Sequence, residues 1–140
     1  MVNRALNAAR SVFRAINARD LGCLEDAVTD DFVDHGSPFP LPPGPEGYRQ
    51  ILTYVSQVLQ IRYDVLDEIV TDDRVVFRAL AHGVAVDAIH GPGTAGKTFD
   101  MPTLHVYRTE GDRLAEHWGV RDELGVLKQL GVLEESTTRT

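Results

Sequence analysis

Residues 99–120 read FDMPTLHVYRTEGDRLAEHWGV, and this stretch decides the fold class. Two runs with the two-residue rhythm of half-buried strands flank Glu110-Gly111-Asp112, which favours a tight hairpin turn. Two earlier β-rich runs, over residues 61–70 and 75–86, are separated by a polar turn of four residues. The second half of the chain therefore predicts a meander of four long strands.

The N-terminal half has helical periodicity. Apolar residues recur every three or four positions over residues 2–18 and 46–60, which predicts two helices that each bury one face. Asp20 is a suitable N-cap for a short helix between them, over residues 21–28. The proline-rich stretch 36–45 predicts a stiff loop, because proline lacks an amide donor.

The C-terminal end predicts one more helix, over residues 123–130, with Gly131 as the residue that ends it. We expect a single domain over residues 1–133 and a polar tail over 134–140. Helices followed by strands predict an α+β fold, in which three helices pack on one face of an antiparallel sheet. A sheet that curls around these helices leaves a hollow suited to small molecules.

Composition excludes several classes of partner. The 140 residues carry a formal net charge of -7, which opposes binding to the phosphates of nucleic acid. Arginine interrupts every apolar run near the N-terminus, so we expect neither a signal peptide nor membrane insertion. Cys23 is the only cysteine and cannot form an internal disulfide, which fits a reducing, cytoplasmic location.

The strand over residues 113–122 carries two candidate carboxylates. Strict alternation places one set of side chains on the apolar face: Leu114, Glu116, Trp118, Val120 and Asp122. The opposite set is expected to face solvent: Arg113, His117 and Arg121. A buried carboxyl without a partner has a raised pKa, so Asp122 is a candidate acid/base residue. The alternatives are that Asp122 only caps the next helix and that Glu116 belongs to an ion pair.

Histidines supply the other candidates for proton transfer. His105 lies on the face of the strand 99–108 that carries its odd-numbered residues, together with Met101 and three other side chains. An imidazole pKa of about 6.5 suits proton exchange. Its alternative role is that of a structural core histidine. Asp34 and His35 precede the proline-rich loop, where side chains point into a cleft or simply form a turn. We expect His90, like His117, to be solvated.

Motifs for metal or nucleotide chemistry are missing from the sequence. No histidine pair has the i, i+4 spacing of a helical metal site, and there is no cysteine cluster. The glycines of residues 91–97 lack the spacing and the following helix of a phosphate loop. We therefore expect no metal and no cofactor.

Several stretches together resemble the SnoaL-like polyketide cyclases, also called ester cyclases. They are Asp31–Gly36 (DFVDHG), Gly44–Gly47 (GPEG), Gly93–Lys97 (GTAGK), Gly111–Trp118 (GDRLAEHW) with Asp122, and Gln129–Gly131 (QLG). The resemblance spans most of the chain. It implies the nuclear transport factor 2-like fold, a cone-like barrel of three N-terminal helices packed on a curved, mainly antiparallel sheet.

The resemblance also implies a chemistry, a cofactor-free intramolecular aldol cyclisation of a polyketide ester with an Asp as acid/base. The family's Asp falls on Asp122, its pocket histidines on His35 and His105, and its aromatic wall on Trp118. We expect additional substrate contacts from five residues: Phe13, Tyr54, Met101, His82 and Asp34. At His82 the chain reads Ala81-His82-Gly83, where the family commonly has Gly-Thr-His.

The implied ligand is a small hydrophobic or polycyclic organic molecule. Relatives of this fold commonly pair through the outer face of the sheet, so a homodimer is expected. Two alternatives stay open at this point. One is another proton-transfer reaction in the same pocket, such as isomerisation, dehydration or epoxide hydrolysis, and the other is a protein that binds a small ligand without turnover.

Overall fold

The N-terminal helices precede the sheet, as predicted, in a computed structural model that describes residues 3–133. Helix α1 spans Leu6–Ala18, and α2 is a single turn, Leu24–Ala27. The predicted second helix, over 21–28, was too long because Val28 is already paired with the sheet and Cys23 occupies the N-cap position. Asp20 accepts a hydrogen bond from the Gly22 amide in a local turn and does not cap α2. The predicted tail over 134–140 lies outside the described residues.

The third predicted helix divides into two parts. Helix α3 spans Gly44–Thr53, and a π-helical turn continues it over Tyr54–Val58. The Thr53 hydroxyl donates to the Arg49 carbonyl at 2.7 Å, a bond to the preceding turn that often bends helices. The segment ends at Gln60, whose φ of 52° turns the chain into the sheet.

The sheet has five strands in the order β1-β5-β4-β3-β2. Their bounds are β1 Val28–Asp34, β2 Arg62–Val70, β3 Arg74–Val84, β4 Thr98–Glu110 and β5 Arg113–Arg121. The four predicted strands are confirmed and pair antiparallel. Strand β1 is additional and pairs parallel with β5, which brings the end of the helical half beside the hairpin.

Two short helices complete the fold. Helix α4, Asp87–His90, lies in the connection between β3 and β4, and α5, Glu123–Gln129, follows β5. Gly131 has a φ of +77°, as its predicted position after the last helix requires. The main core lies between the inner face of the sheet and the apolar faces of α1 and α3. This confirms the expected α+β cone, with helices on one face of a mainly antiparallel sheet.

Candidate active site

A cavity of about 430 Å³ lies between the helices and the inner face of the sheet. This volume is within the range of small-molecule sites. Its walls are mostly apolar and aromatic side chains from α1, α3, the π-helical turn and β4. The polar groups among the described lining residues are few, and four of them converge where β1, β4 and β5 meet: Asp34, His105, His117 and Arg121.

Strand register brings these four residues together. The parallel pairing of β1 with β5 sets Asp34 beside His117. The antiparallel pairing of β4 with β5 sets His105 opposite Gly119 and Thr103 opposite Arg121. Because paired residues point to the same side of a sheet, all of these positions face the helices.

A continuous chain of hydrogen bonds links the polar residues. Asp34 Oδ1 lies 2.8 Å from His117 Nδ1, and His117 Nε2 lies 2.9 Å from His105 Nδ1. His105 Nε2 lies 2.9 Å from Thr103 Oγ1, which donates to the Ala79 carbonyl at 2.8 Å. Asp34 Oδ1 also accepts from the Gly36 amide at 2.8 Å. We call Asp34, His117 and His105 the relay.

The Thr103 hydroxyl fixes the direction of this chain. A carbonyl only accepts, so the single Thr103 proton points at Ala79 and His105 Nε2 must donate to the Thr103 oxygen. A neutral His105 then accepts at Nδ1, and His117 Nε2 donates to it. An ionised Asp34 carboxylate only accepts, so His117 Nδ1 donates to it and both ring nitrogens of His117 act as donors.

Electrostatics agree with these protonation states. Burial raises the pKa of Asp34, but the hydrogen bond and charge of His117 outweigh burial and bring that pKa below its ordinary value. Burial, followed by the charges of His117 and Arg121, lowers the pKa of His105 well below its ordinary value. The relay therefore has an ionised Asp34 carboxylate on one side of His117 and a neutral His105 imidazole on the other.

One carboxylate oxygen is left open to a ligand. Both hydrogen bonds to Asp34 go to Oδ1, and no described residue donates to Oδ2. The Asp34 side chain is only 5% exposed and lines the cavity, and Oδ2 is not among the fully enclosed polar atoms without a partner. An anchored carboxylate with one unengaged oxygen is the geometry that a general base requires.

Aromatic residues form the floor and one wall of the site. The hydroxyls of Tyr48 and Tyr107 lie 2.6 Å apart beneath His117, and burial raises the pKa of both phenols. Phe13 meets His105 edge-on, with 5.0 Å between ring centroids. Tyr63 also meets His105 edge-on, with 5.3 Å between ring centroids. These contacts hold the His105 ring in one orientation.

The predicted faces of β5 were wrong beyond its first residues. Arg108 pairs with Glu116 and Thr109 with Leu114, so Ala115 is an extra residue, a β-bulge. The bulge reverses the alternation, and the prediction assumed an unbroken period of two. His117, expected in solvent, is buried at 6% exposure, whereas Val120, expected inside, is 66% exposed.

Five of the nine predicted site residues line the cavity: Phe13, Asp34, Tyr54, Met101 and His105. The other four lie outside the set of described lining residues: His35, His82, Trp118 and Asp122. Their proposed roles rested on the expected faces or on the resemblance, and the structure does not bring them to the relay.

Each of these four residues has a local partner. Asp122 caps α5 by accepting from the Gly125 amide at 2.8 Å, the alternative role considered above. His35 contacts Glu116 at 2.7 Å and stacks on Trp118 with 5.0 Å between centroids. His82 lies between Asp64 and Asp100, at 2.8 and 2.6 Å. Glu116 pairs with Arg108 as well, which confirms its expected ion-pair role.

Sequence reasoning missed His117, Arg121 and Tyr63 in the cavity, and it expected His90, which also lines it, in solvent. His117 and Arg121 could have been placed from the register of the β4–β5 hairpin. Each is two residues from Gly119, which pairs with the correctly assigned His105. Only the position of the bulge was needed to place them.

A family model for SnoaL-like polyketide cyclases matches residues 4–130. Solved structures agree. IdmH from Streptomyces antibioticus, a proposed polyketide cyclase, is 27% identical with a TM-score of 0.73, covering 91% of this chain and 98% of its own. TsrD from Streptomyces laurentii is 26% identical with a TM-score of 0.76, covering 93% and 96%. AclR from Streptomyces galilaeus, a proposed hydroxylase, shares the fold at 16% identity and a TM-score of 0.74, covering 96% and 85%.

The fold and its cavity define a small-molecule protein of the nuclear transport factor 2-like class. Within that class, the chain belongs to the SnoaL-like polyketide cyclase family. No curated protein sequence matches it significantly. Family membership supports a cyclase or isomerase-type function on a small organic ligand.

No helix within residues 3–133 combines the length and the hydropathy needed to cross a membrane. In the same part of the chain, no three His, Cys, Asp or Glu side chains are grouped as ligands for one metal ion.

Proposed function

We propose that the protein catalyses a cofactor-free acid/base reaction on a small organic ligand, namely the intramolecular aldol cyclisation of a polyketide ester. The observation that carries the proposal is the relay at the end of an apolar cavity, with Asp34 Oδ2 open. A methylene between two carbonyls is already acidic, so the protein needs mainly to hold the ligand in a reactive pose and move one proton.

The proposed mechanism uses Asp34 as the general base. Its ionised carboxylate takes the proton from the methylene carbon, and the resulting enolate attacks a second carbonyl of the same molecule. The proton then returns to the new alkoxide, so that substrate and product have the same mass. His117 and His105 stabilise the anionic form of Asp34 and fix its orientation.

This proposal assigns the base to Asp34, whereas the resemblance implied Asp122. Asp122 caps a helix and lies in a depression on the outer face of the sheet with Leu104 and Val120. The Asp34 carboxylate has the buried, anchored geometry that proton transfer needs, and the Asp122 carboxylate is exposed.

The test compares two matched substitutions, Asp34→Asn and Asp122→Asn. A panel of aromatic polyketide esters that carry a 1,3-dicarbonyl side chain is assayed for cyclic products of unchanged mass. Asparagine keeps the acceptor oxygen at both sites and remains a good N-cap, so both variants should fold. We expect Asp34→Asn to lose roughly 10²- to 10⁴-fold in turnover and Asp122→Asn to stay near the parent.

Two results would contradict the proposal. Loss of turnover in Asp122→Asn with retention in Asp34→Asn would return the catalytic role to Asp122. Binding of the esters without turnover by the parent protein would make it a ligand-binding member of the family.

Two further properties are part of the proposal. A homodimer is supported by the apolar outer face of the sheet, where Leu104, Trp118 and Val120 are exposed. A cytoplasmic location is supported by the lone Cys23, which has no partner for an internal disulfide.

A further inference from the structure

The Tyr63 hydroxyl is a donor that faces the cavity without a protein partner. The Tyr48 and Tyr107 hydroxyls satisfy each other, but no described residue hydrogen-bonds the Tyr63 hydroxyl. A buried hydroxyl normally has a partner, so this one is available to a ligand. Burial raises the pKa of Tyr63 to about 12, and the phenol therefore keeps its proton.

Arg121 is the one Lys or Arg among the described residues that line the cavity. Its Nη2 donates to the Gly36 carbonyl at 3.2 Å, and it forms no ion pair within residues 3–133. A guanidinium has five N–H donors, so most of them are left for a ligand. A Cβ on Gly36 would stand 3.3 Å from Asp34 Oδ1 and 3.4 Å from Arg121 Nη2, so the guanidinium lies beside the Asp34 carboxylate.

Gly119 leaves free space between the relay and Arg121. It lies between His117 and Arg121 on the inner face, and a Cβ at this position would stand 3.2 Å from His117 Cε1 and 3.7 Å from His105 Nδ1. A Cβ there would crowd the His117 ring and contact the His105 ring. With glycine, a ligand atom can approach the relay and Arg121 together.

We infer that Tyr63 Oη and the Arg121 guanidinium form an oxyanion-binding pair that holds the enolate oxygen of the ligand. The inference rests on the proposed function, because it places the ligand's acidic carbon at Asp34 Oδ2. The C–H bond breaks, its proton passes to Asp34, and the electron pair moves onto the carbonyl oxygen. Tyr63 and Arg121 hold that oxygen, and no oxidant or cofactor takes part.

Two probes with the same carbon skeleton test the pair. 1-Phenylbutane-1,3-dione is an acidic diketone that forms an enolate, and 4-phenylbutan-2-one is a neutral monoketone. Dissociation constants are measured by titration, and the enolate fraction by ultraviolet absorption. We expect the parent to bind the diketone as its enolate. Tyr63→Phe and Arg121→Gln should each weaken diketone binding ~10-fold or more and leave monoketone binding unchanged.

Arg113→Gln is the matched control, because Arg113 lies at the far end of the same strand and outside the described lining residues. It should bind both probes as the parent does. The inference is overturned if Tyr63→Phe and Arg121→Gln bind the diketone as tightly as the parent, or if they lose both probes equally.

The same titration separates this inference from the proposed function. Asp34→Asn should still bind the diketone enolate at least as well as the parent, because it keeps both oxyanion donors and removes a negative charge. Absence of turnover on the ester panel would defeat the proposed function alone. A protein that cyclises the esters but does not bind the diketone as its enolate would contradict the oxyanion-binding pair alone.

Discussion

The Thr103 hydroxyl controls the protonation of a histidine on the neighbouring strand. The Thr103 proton points at the Ala79 carbonyl, so His105 Nε2 must donate to Thr103. This fixes the donor and the acceptor in the two hydrogen bonds that follow, between His105 and His117 and between His117 and Asp34. Thr103 thus sets which ring nitrogen of His105 donates and which one accepts from His117. A valine at position 103 would remove this constraint.

His105 should make the fold less stable in acid. Its pKa in the folded protein is well below the unfolded value of about 6.5, so its contribution to stability is present above that pH and is lost as pH falls. Melting temperatures at about pH 8 and about pH 5.5 measure the effect. In His105→Gln, the loss of stability between these values should be smaller than in the parent.

His82 should act with the opposite sign and serves as the control. The hydrogen bonds that His82 donates to Asp100 and Asp64 raise its pKa, so its contribution to stability is present below about pH 6.5 and is lost as pH rises through the folded value. His82→Gln should therefore lose more stability on acidification than the parent does. Equal pH profiles for both variants and the parent would show that neither histidine has a pKa altered by folding.

Among the elements, β5 decides the site because one bulge sets which residues enter the cavity. With Ala115 as the extra residue, Leu114 and His117 both face inward, three positions apart. The π-helical turn has a related effect, since it carries Tyr54 and Val55 into the cavity wall. Both are irregularities of the kind often found at functional sites.

The packing of α3 against the proline-rich loop gives a prediction for Gly47. A Cβ at this position would overlap the Pro42 carbonyl oxygen, a backbone atom that cannot rotate away. Gly47→Ala should therefore cost about 1–3 kcal/mol and lower the Tm by roughly 5 °C or more.

Gly22→Ala is the matched control, because its Cβ would meet only the end of the Asp20 side chain, at 3.3 Å. Thermal unfolding of both variants measures the difference. An equal Tm for the two would show that α3 and the loop are not held together as tightly as the structure indicates.

On the scale of the whole molecule, both faces of the sheet carry apolar side chains. The inner face is covered by helices, whereas the outer face exposes Leu66, Leu104, Trp118 and Val120. Leu104 and Val120 pair across β4 and β5, and both side chains point outward, so the exposed apolar surface is continuous. A monomer rarely leaves such a surface in water, and a second copy of the sheet is the occupant that we propose.

Light scattering should therefore give about twice the 15.5 kDa of the chain. Val120→Asp places a charge in the proposed interface and should give a monomer. Leu124→Asp, at a similarly exposed position on α5, should stay dimeric. A parent mass near that of one chain would contradict the dimer.

The sequence by itself determined the fold class, four of the five strands, the position of the cavity and the inward face of β4. Each of these follows from a period within one segment: helical in α1 and α3, and two-residue in the strands. The His105 and Met101 assignments belong to this group, since an unbroken strand alternates reliably between its faces.

Only the tertiary structure decided the strand β1, the faces of β5 and the assembly of the relay. Asp34 and His117 are 83 residues apart, and a parallel pairing brings them together. A bulge then reverses the alternation that placed Asp122 inside and His117 outside. Both features depend on pairing between distant segments, and the local pattern of apolar residues carries no information about where such pairing slips by one residue.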